Sequence, residues 1–186
     1  MKLKNKVAIV TGGGKGIGEE ISLGLAKEGA KVVVADLDKE NSSNVVKEIL
    51  KNSGEAIYVE TDVSNEASVK NLISETINRF DQIDILINNA GIRHVKKLEN
   101  HDLSDWNDMI SVNLTGPYIC CQAVIPEMKK IGKGKIINFG SIASFMGRPD
   151  RVGYVAAKSG ILGLTRALAI DLKGTNINVN TICPGL

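Results

Sequence analysis

Short runs of β-branched and apolar residues alternate six times with longer segments of helical periodicity along this chain. Such alternation is typical of a parallel sheet whose crossover helices cover both faces. Most of the runs are continuously apolar, as expected for strands that are buried on both sides. The predicted strands are Val7 to Val10, Lys31 to Ala35, Ala56 to Val59, Ile83 to Asn88, Lys135 to Phe139 and Ile177 to Ile182. The pattern therefore predicts a doubly wound α/β fold.

Five helices are predicted between these strands. They are Gly16 to Glu28, Lys39 to Asn52, Asn65 to Arg79, Ser104 to Lys130 and Gly153 to Leu172, with Gly29, Gly54 and Gly174 placed where helix C-terminal caps belong. Pro117 lies inside the fourth helix, and because proline has no N–H, the carbonyl of Asn113 loses its intrahelical donor. We expect a kink there, and the freed carbonyl could hold a water molecule. The alternative is that the proline merely bends the helix around the core.

Composition excludes several classes of protein. The 186 residues suffice for one well-buried domain, and 43% of them are apolar. A net charge of +2 gives no electrostatic case for nucleic acid or an anionic membrane surface. No apolar stretch is long enough for a membrane span and no signal peptide is visible, so we expect a cytoplasmic protein. The three cysteines and two histidines have neither disulfide nor metal-site spacing, so no metal is expected.

The first predicted strand ends in TGGGKGIG, Thr11 to Gly18, and helical periodicity begins at once. Glycines in such a turn let backbone N–H groups approach a pyrophosphate, which the positive end of the following helix also attracts. The spacing of Gly12, Gly16 and Gly18 is G-x-x-x-G-x-G, which differs from the usual G-x-G-x-x-G fingerprint. The glycines alone therefore leave a phosphate-binding loop and a simple tight turn equally open.

An acidic residue, Asp36, ends the second strand about 20 residues after this loop, where a carboxylate can accept hydrogen bonds from an adenosine ribose. Loop and acid together predict a dinucleotide-binding (Rossmann) sheet with strand order 3-2-1-4-5-6. Asp36 favours NAD over NADP, because a carboxylate close to a 2′-phosphate would be repelled by it. Lys15, inside the loop, argues for NADP because its ammonium could pair with that phosphate.

Tyr154 and Lys158 lie four residues apart in YVAAK and share one face of the last predicted helix. In isolation the pair is better explained by two amphipathic side chains that keep their polar ends in water. The chain as a whole, however, resembles the short-chain dehydrogenase/reductase family. The resemblance rests on TGGGKGIG, NNAG at Asn88 to Gly91, Asn113, Ser141, YVAAK and Pro184-Gly185, in the family's order and spacing.

The resemblance implies a role for each of these residues. Tyr154 would be the catalytic acid/base and Lys158 its partner. Ser141 would hold the substrate oxygen, and Asn113 would support a proton relay. Cofactor-binding roles are implied for Gly12, Lys15, Gly16, Ile17, Gly18, Asp36, Leu37, Asp62, Val63, Asn89, Ala90, Gly91, Tyr154, Lys158, Pro184 and Gly185. Structural alternatives exist, since Asn89 and Gly91 could shape a strand end and Asp62 could cap a helix.

The chemistry explains why a tyrosine and a lysine would be paired. A free phenol has a pKa of about 10, so bringing it near 7 requires roughly 4 kcal/mol of phenolate stabilisation. An ammonium about 4 Å away supplies on the order of 4 kcal/mol at an effective dielectric near 20. The pair is thus suited to proton transfer during hydride exchange between NAD(H) and a secondary alcohol or ketone.

Segments after NNAG and after Ser141 are expected to line the substrate pocket. The candidates are Arg93, His94, Phe145, Met146, Arg148 and Arg151. The arginines favour a polar or acidic small molecule, such as a sugar, sugar acid or polyol, but they are equally explained as solvated loop charges. A 3-oxoacyl-thioester reductase that uses NADPH and faces an acidic carrier protein is the alternative. Asp36 weighs against it, because the family's reductive members generally use NADPH.

The resemblance also raises expectations about assembly and completeness. It implies a homodimer or homotetramer packed through the fourth and fifth helices, where Ala156, Ala157, Gly160 and Gly163 permit close approach of another helix. Family members continue past Pro184 through a substrate-covering segment and a seventh strand. We therefore expect a single domain without that lid, which is either a piece of a longer enzyme or a shortened, non-catalytic dinucleotide-binding protein.

Overall fold

The sheet has the predicted architecture. A computed structural model describes residues 1–185, and within them six strands form one sheet of parallel pairs in the order β3-β2-β1-β4-β5-β6. The strands are β1 Val7–Thr11, β2 Lys31–Asp36, β3 Glu55–Glu60, β4 Ile85–Asn88, β5 Gly134–Phe139 and β6 Ile177–Ile182. The doubly wound fold and its strand order are thereby confirmed.

The helices follow the predicted segments, with one exception. They are α1 Gly16–Lys27, α2 Lys39–Lys51, α3 Glu66–Phe80, α4 Leu103–Ile110, α5 Gly116–Lys130 and α6 Val152–Asp171. Short 3-10 turns occupy Leu98–Asn100 and Ile142–Ser144. None of the helices within residues 1–185 is both long and apolar enough to cross a membrane.

The exception is the predicted single helix from Ser104 to Lys130. It consists of α4 and α5 joined by a π-helical segment, Ser111–Thr115, whose wider turn is closed by the Gly116 N–H donating to the Ser111 carbonyl. Pro117 follows directly and has no N–H to continue the regular ladder. The irregularity that the proline predicts is therefore a π-helical turn, and it carries Asn113.

Helix C-terminal caps fall mostly at the expected glycines. Gly29 and Gly174 have left-handed backbones, with φ of 90° and 87°. After α2 the left-handed residue is Ser53, with φ of 61°, so the prediction of a cap at Gly54 was wrong by one residue. Gly54 is needed for space instead, because a Cβ there would lie 2.8 Å from Cγ2 of Ile49.

Alternate residues of the central strands enter two separate hydrophobic clusters, one on each face of the sheet. Ile9 and Val33 pack in the cluster that also receives residues of α3 and α5. Val10 and Val34 pack in the opposite cluster, against α1 and α2. Because all strands run in the same direction, their carboxyl ends meet at one edge, and the loops that leave this edge carry the predicted site residues.

Candidate active site

Two adjoining cavities lie at the carboxyl edge of the sheet. The first, of about 440 Å³, lies beside the glycine loop and Asp36. The second, of about 500 Å³, is bordered by Ser141, Tyr154 and Lys158. The two share Ile17, Asn89, Gly91 and Ile92 as lining residues and so adjoin each other, and together they are called the cleft. Its position between β1 and β4 is the point where strand order reverses, which is where ligands bind in such sheets.

The glycine loop is closed too tightly for side chains. Gly12 has φ of 62°, and a Cβ on it would lie 2.8 Å from Cα of Ala90. A Cβ on Gly18 would overlap the Gly12 carbonyl oxygen. Gly16 has open space around it but φ of 55°, so there the backbone conformation requires glycine. Helix α1 begins at Gly16, and the backbone N–H groups of its first turn have no intrahelical acceptors.

Asn89 holds this loop in place. Its side-chain Nδ2 donates to the carbonyls of Thr11, at 3.1 Å, and Gly12, at 3.0 Å. The Thr11 hydroxyl in turn accepts from the backbone N–H groups of Asn89 and Ala90, each at 3.1 Å. The NNAG segment therefore clamps the end of β1 to the end of β4, as the structural alternative for Asn89 supposed, while Asn89 also borders both cavities.

Asp36 is held rigidly at the end of β2. Its Oδ2 accepts from the Gly14 N–H and its Oδ1 from the Asp38 N–H, each at 3.0 Å. Each carboxylate oxygen has a further lone pair available for a ligand hydroxyl. Lys15, which borders the same cavity, is exposed. A fixed carboxylate thus borders the cavity in which an adenosine ribose is expected.

The far wall of the first cavity contains Leu37, Asp62 and Val63. Asp62 does not cap α3, since Asn65 does so by accepting from two backbone N–H groups. Its Oδ1 accepts instead from the N–H and hydroxyl of Ser64, at 2.9 and 2.6 Å. The helix-cap explanation for Asp62 is therefore wrong.

The two polar residues of YVAAK face the second cavity from the start of α6. Lys158 is only 5% exposed, and its Nζ lies 5.9 Å from the centre of the Tyr154 ring. The Lys158 Nζ donates to the Phe139 carbonyl at 2.7 Å. Burial lowers the pKa of Lys158 to about 8, because the ammonium loses water and faces no carboxylate, and the nearby Cys183 thiol opposes this only partly.

Ser141 follows β5 and starts the 3-10 turn Ile142–Ser144. Its Oγ accepts from the Ala143 N–H at 3.1 Å, so its own O–H can still donate to a substrate oxygen. Asn113, in contrast, has both N–H groups of its amide engaged within the chain. Its Nδ2 donates to the carbonyls of Ile92 and Met109, both at 3.0 Å, and its Oδ1 accepts from the Ile92 N–H at 3.2 Å.

Gly91 lies between the Asn113 amide and Lys158. A Cβ on Gly91 would lie 2.7 Å from Oδ1 of Asn113 and 3.6 Å from Nζ of Lys158. The 2.7 Å approach of Asn113 is too close for a Cβ and requires glycine, whereas the 3.6 Å approach of Lys158 is an ordinary van der Waals contact. The closing residues Pro184 and Gly185 border the same cavity.

Sequence reasoning missed Ser144. Its Oγ donates to the Lys158 carbonyl at 2.6 Å and accepts from the Ser141 N–H at 3.1 Å, and thereby ties the Ser141 turn to α6. The available signal was the S-x-x-S spacing, which closes a capping box over Ile142–Ser144.

Most of the predicted site residues border the cleft. The exceptions are Gly16 and Gly18, which shape the loop without lining either cavity. Three of the pocket candidates also line neither cavity. Phe145 and Met146 are exposed on the surface, and the Nε2 of His94 lies 4.0 Å from a carboxylate oxygen of Asp108. The three arginines do line the second cavity: Arg93, Arg148 and Arg151.

The cleft fits a nicotinamide dinucleotide. Gly12, Lys15 and Ile17 border the first cavity, so the start of α1, whose free N–H groups would attract a pyrophosphate, lies at its edge. Asp36 offers acceptors for ribose hydroxyls at one end, and Lys158 offers N–H donors at the other.

Comparison with known proteins agrees with this geometry. Residues 6–186 match a family model described as short chain dehydrogenase. An oxidoreductase of Thermotoga maritima is 43% identical over 184 residues, which are 98% of this chain and 72% of that protein. A 3-oxoacyl-[acyl-carrier-protein] reductase of Synechocystis sp. is 42% identical over 98% of this chain and 74% of that protein. A crystal structure described as a short-chain alcohol dehydrogenase from Sinorhizobium meliloti superposes with a TM-score of 0.95 at 36% identity, covering 99% of this chain and 73% of that one.

Proposed function

Because the chain belongs to the short-chain dehydrogenase family, whose members bind a nicotinamide dinucleotide, we propose that it transfers a hydride between NAD(H) and the CH–OH group of a secondary alcohol. The observation that carries the proposal is a buried amine, Lys158, one helical turn from Tyr154 in a cleft that continues to the glycine loop and Asp36. The family assignment favours an enzyme over the non-catalytic dinucleotide-binding protein considered above.

In the proposed reaction the bound nicotinamide supplies the hydride acceptor or donor. Tyr154 takes the hydroxyl proton when an alcohol is oxidised and returns it when a ketone is reduced. The Lys158 ammonium, 5.9 Å from the ring centre, stabilises the charge that develops on the phenol oxygen.

The neighbouring residues position these two groups. The Phe139 carbonyl fixes one of the three Lys158 donors, which leaves the others for Tyr154 and a ribose hydroxyl. Ser141 donates its hydroxyl hydrogen to the reacting oxygen. Asn113 clamps the Ile92 backbone beside the cleft and has both amide N–H groups engaged, so we expect its contribution to a proton relay to come through its place in the π-helical turn.

NAD is the proposed dinucleotide because of Asp36. Its carboxylate is fixed by two backbone N–H groups, whereas Lys15 is exposed. A carboxylate about 4 Å from a 2′-phosphate costs on the order of 4 kcal/mol per unit charge at a dielectric near 20, and a flexible surface lysine recovers only about 1 kcal/mol or less. A polar small molecule is the proposed substrate, since three arginines line the cavity.

A second candidate function is reduction of a 3-oxoacyl thioester. It is supported by the Synechocystis relative, whose name gives that activity, at 42% identity. The three arginines of the second cavity are compatible with a thioester that is attached to an acidic carrier protein. Activity with NADPH and a 3-oxoacyl thioester, absent with NAD and simple secondary alcohols, would favour this candidate over the first.

We also propose a homo-oligomer, but fewer residues can form its interface than the sequence predicts. Ala157 is fully buried and Gly160 packs on Leu114 of the same chain, so neither can receive a second copy. Gly163 has nothing within 4 Å, and Ile170 on the same helix is 71% exposed. Sedimentation should show a dimer or tetramer, and a stable monomer would contradict this proposal.

Two tyrosine-to-phenylalanine variants test the proposed function. Tyr154→Phe should abolish turnover of secondary alcohols and leave NAD affinity within a few-fold of the parent, because only the proton-transfer group is lost. Tyr118→Phe, on the exposed side of α5, is the matched control and should keep full turnover. Turnover retained by Tyr154→Phe would remove this residue from the mechanism.

A further inference from the structure

Among the described residues, several cationic side chains and no acidic side chain line the second cavity, although Arg148 and Arg151 also border a neighbouring cavity that includes Glu99 and Asp150. Four of the second cavity's lining residues are cationic side chains, and none of the described lining residues is Asp or Glu. The cations are Arg93, Arg148, Arg151 and Lys158. The proposed mechanism uses Lys158 beside Tyr154, but it gives no role to the three arginines.

Two of these arginines, Arg148 and Arg151, are half-buried, whereas Arg93 is exposed at the rim. Neither Arg148 nor Arg151 lies within 4.0 Å of a carboxylate oxygen of residues 1–185. The Nε of Arg151 is buried, and no hydrogen-bond acceptor for it exists in that part of the chain. The Arg151 guanidinium is thus partly desolvated and has no counter-charge in that part of the chain, and an anion in the cavity would supply one.

The start of α6 adds to the positive potential in this cavity. Arg151 is its N-cap residue, and no side chain accepts from the N–H groups of the first turn. These N–H groups and the positive end of a 20-residue helix both attract an anion. Tyr154 lies in that first turn, so an anion bound here is within one helical turn of the proton-transfer group.

We infer that the substrate of the proposed hydride transfer carries an oxyanion, a carboxylate or a phosphate, which Arg148 and Arg151 bind beside the first turn of α6 while the substrate hydroxyl reaches Tyr154. The inference rests on the proposed function for the identity of the reacting group. A guanidinium is suited to this role because its planar donors match both oxyanions. Arg148 and Arg151 thereby determine specificity rather than take part in hydride transfer.

Binding calorimetry with and without NAD tests the inference independently of turnover. The probes are 3-hydroxypentanoate and 4-hydroxypentanoate with their neutral amides, and 3-hydroxybutyl phosphate with neutral 1,3-butanediol. At least one anion should bind about tenfold or more tightly than its neutral counterpart, as expected for charge-assisted hydrogen bonds. The carboxylate and phosphate pairs show which oxyanion is preferred. Equal affinity within every pair would overturn the inference.

Substitutions test whether Arg148 and Arg151 are the residues that bind the anion. Arg151→Gln and, separately, Arg148→Gln should weaken anion binding by about tenfold and leave the neutral probes unchanged. Arg151→Lys should restore part of the loss, since it keeps the charge but not the planar fork. Arg79→Gln removes one charge from the exposed end of α3 and is the control. An equal loss in Arg79→Gln, or undiminished anion binding in both Arg148→Gln and Arg151→Gln, would refute the assignment.

The outcomes separate this inference from the function on which it rests. Tyr154-dependent turnover of neutral alcohols with no preference for anions would sustain hydride transfer and overturn the anion subsite. Anion binding that depends on Arg151, together with turnover that survives Tyr154→Phe, would sustain the subsite and overturn the proposed role of Tyr154.

Discussion

Replacing Lys158 with methionine should stabilise the fold at neutral pH while abolishing the proposed activity. Methionine has similar length and no charge to desolvate. Burial lowers the pKa of Lys158 from its ordinary 10.5 to about 8, so the folded state binds the proton less tightly than the unfolded state does. This difference corresponds to about 3 kcal/mol of destabilisation wherever both states are protonated.

The direction in which stability changes with pH follows from the difference in proton binding between the folded and unfolded states. Below pH 8 the cost of the buried ammonium is fully present. Between pH 8 and about 10.5 the folded state has lost the proton and the unfolded state still binds it, so parent stability rises with pH relative to the variant. Above that window the cost is gone. The variant also leaves the Phe139 carbonyl without its donor, a loss of about 1 kcal/mol or more that offsets part of the gain at neutral pH.

The assay is urea unfolding of parent and Lys158→Met at pH 7 and at pH 10.5. The difference in free energy of unfolding between the two proteins should change by about 2 to 3 kcal/mol in favour of the parent as the pH rises. Lys47→Met, at an exposed position on α2, is the control and should give a difference that does not vary with pH. A Lys158→Met difference as flat as that of the control would refute the reasoning.

Three further substitutions test other parts of the site. Asp36→Ser should raise kcat/KM with NADP relative to NAD by about tenfold or more, because the fixed carboxylate no longer repels a 2′-phosphate; a parent protein that already prefers NADP tenfold would contradict the NAD assignment. Gly91→Ala places a methyl group 2.7 Å from Oδ1 of Asn113 and should reduce kcat strongly, and parental kinetics would contradict the described contact. Ser144→Ala removes the hydrogen bond to the Lys158 carbonyl and should cost about 1 to 3 kcal/mol in thermal unfolding, whereas an unchanged midpoint would show that α6 does not depend on it.

The regular elements were predictable because each is encoded by neighbouring residues. Continuous apolar runs such as Val7–Thr11 fixed the strands, and the turn TGGGKGIG fixed the start of α1. Helix ends were predicted to within one or two residues. The one large departure, the π-helical turn at Ser111–Thr115, lies where the proline signal predicted an irregularity but could not say which kind.

Features that depend on contacts between distant segments could not be predicted. The sequence does not show that both N–H groups of the Asn113 amide donate to the Ile92 and Met109 carbonyls, because the three residues come together only through the packing of the π-helical turn. The same holds for Ser144, whose partner is 14 residues away on α6. From the sequence, the arginines could be either substrate-binding residues or solvated loop charges. Only the folded chain shows that Arg148 and Arg151 have no carboxylate partner within residues 1–185.

The central claim is direct hydride transfer from an alcohol carbon with Tyr154 as the proton acceptor. It is tested most directly by single-turnover oxidation of a secondary alcohol deuterated at the carbinol carbon, including the hydroxy acids above, followed by mass spectrometry of the dinucleotide. The parent protein should yield NADH that contains one deuterium, and Tyr154→Phe should yield none although it still binds NAD. Deuterated NADH formed by Tyr154→Phe at the parental rate, or NADH without deuterium from the parent, would contradict the mechanism.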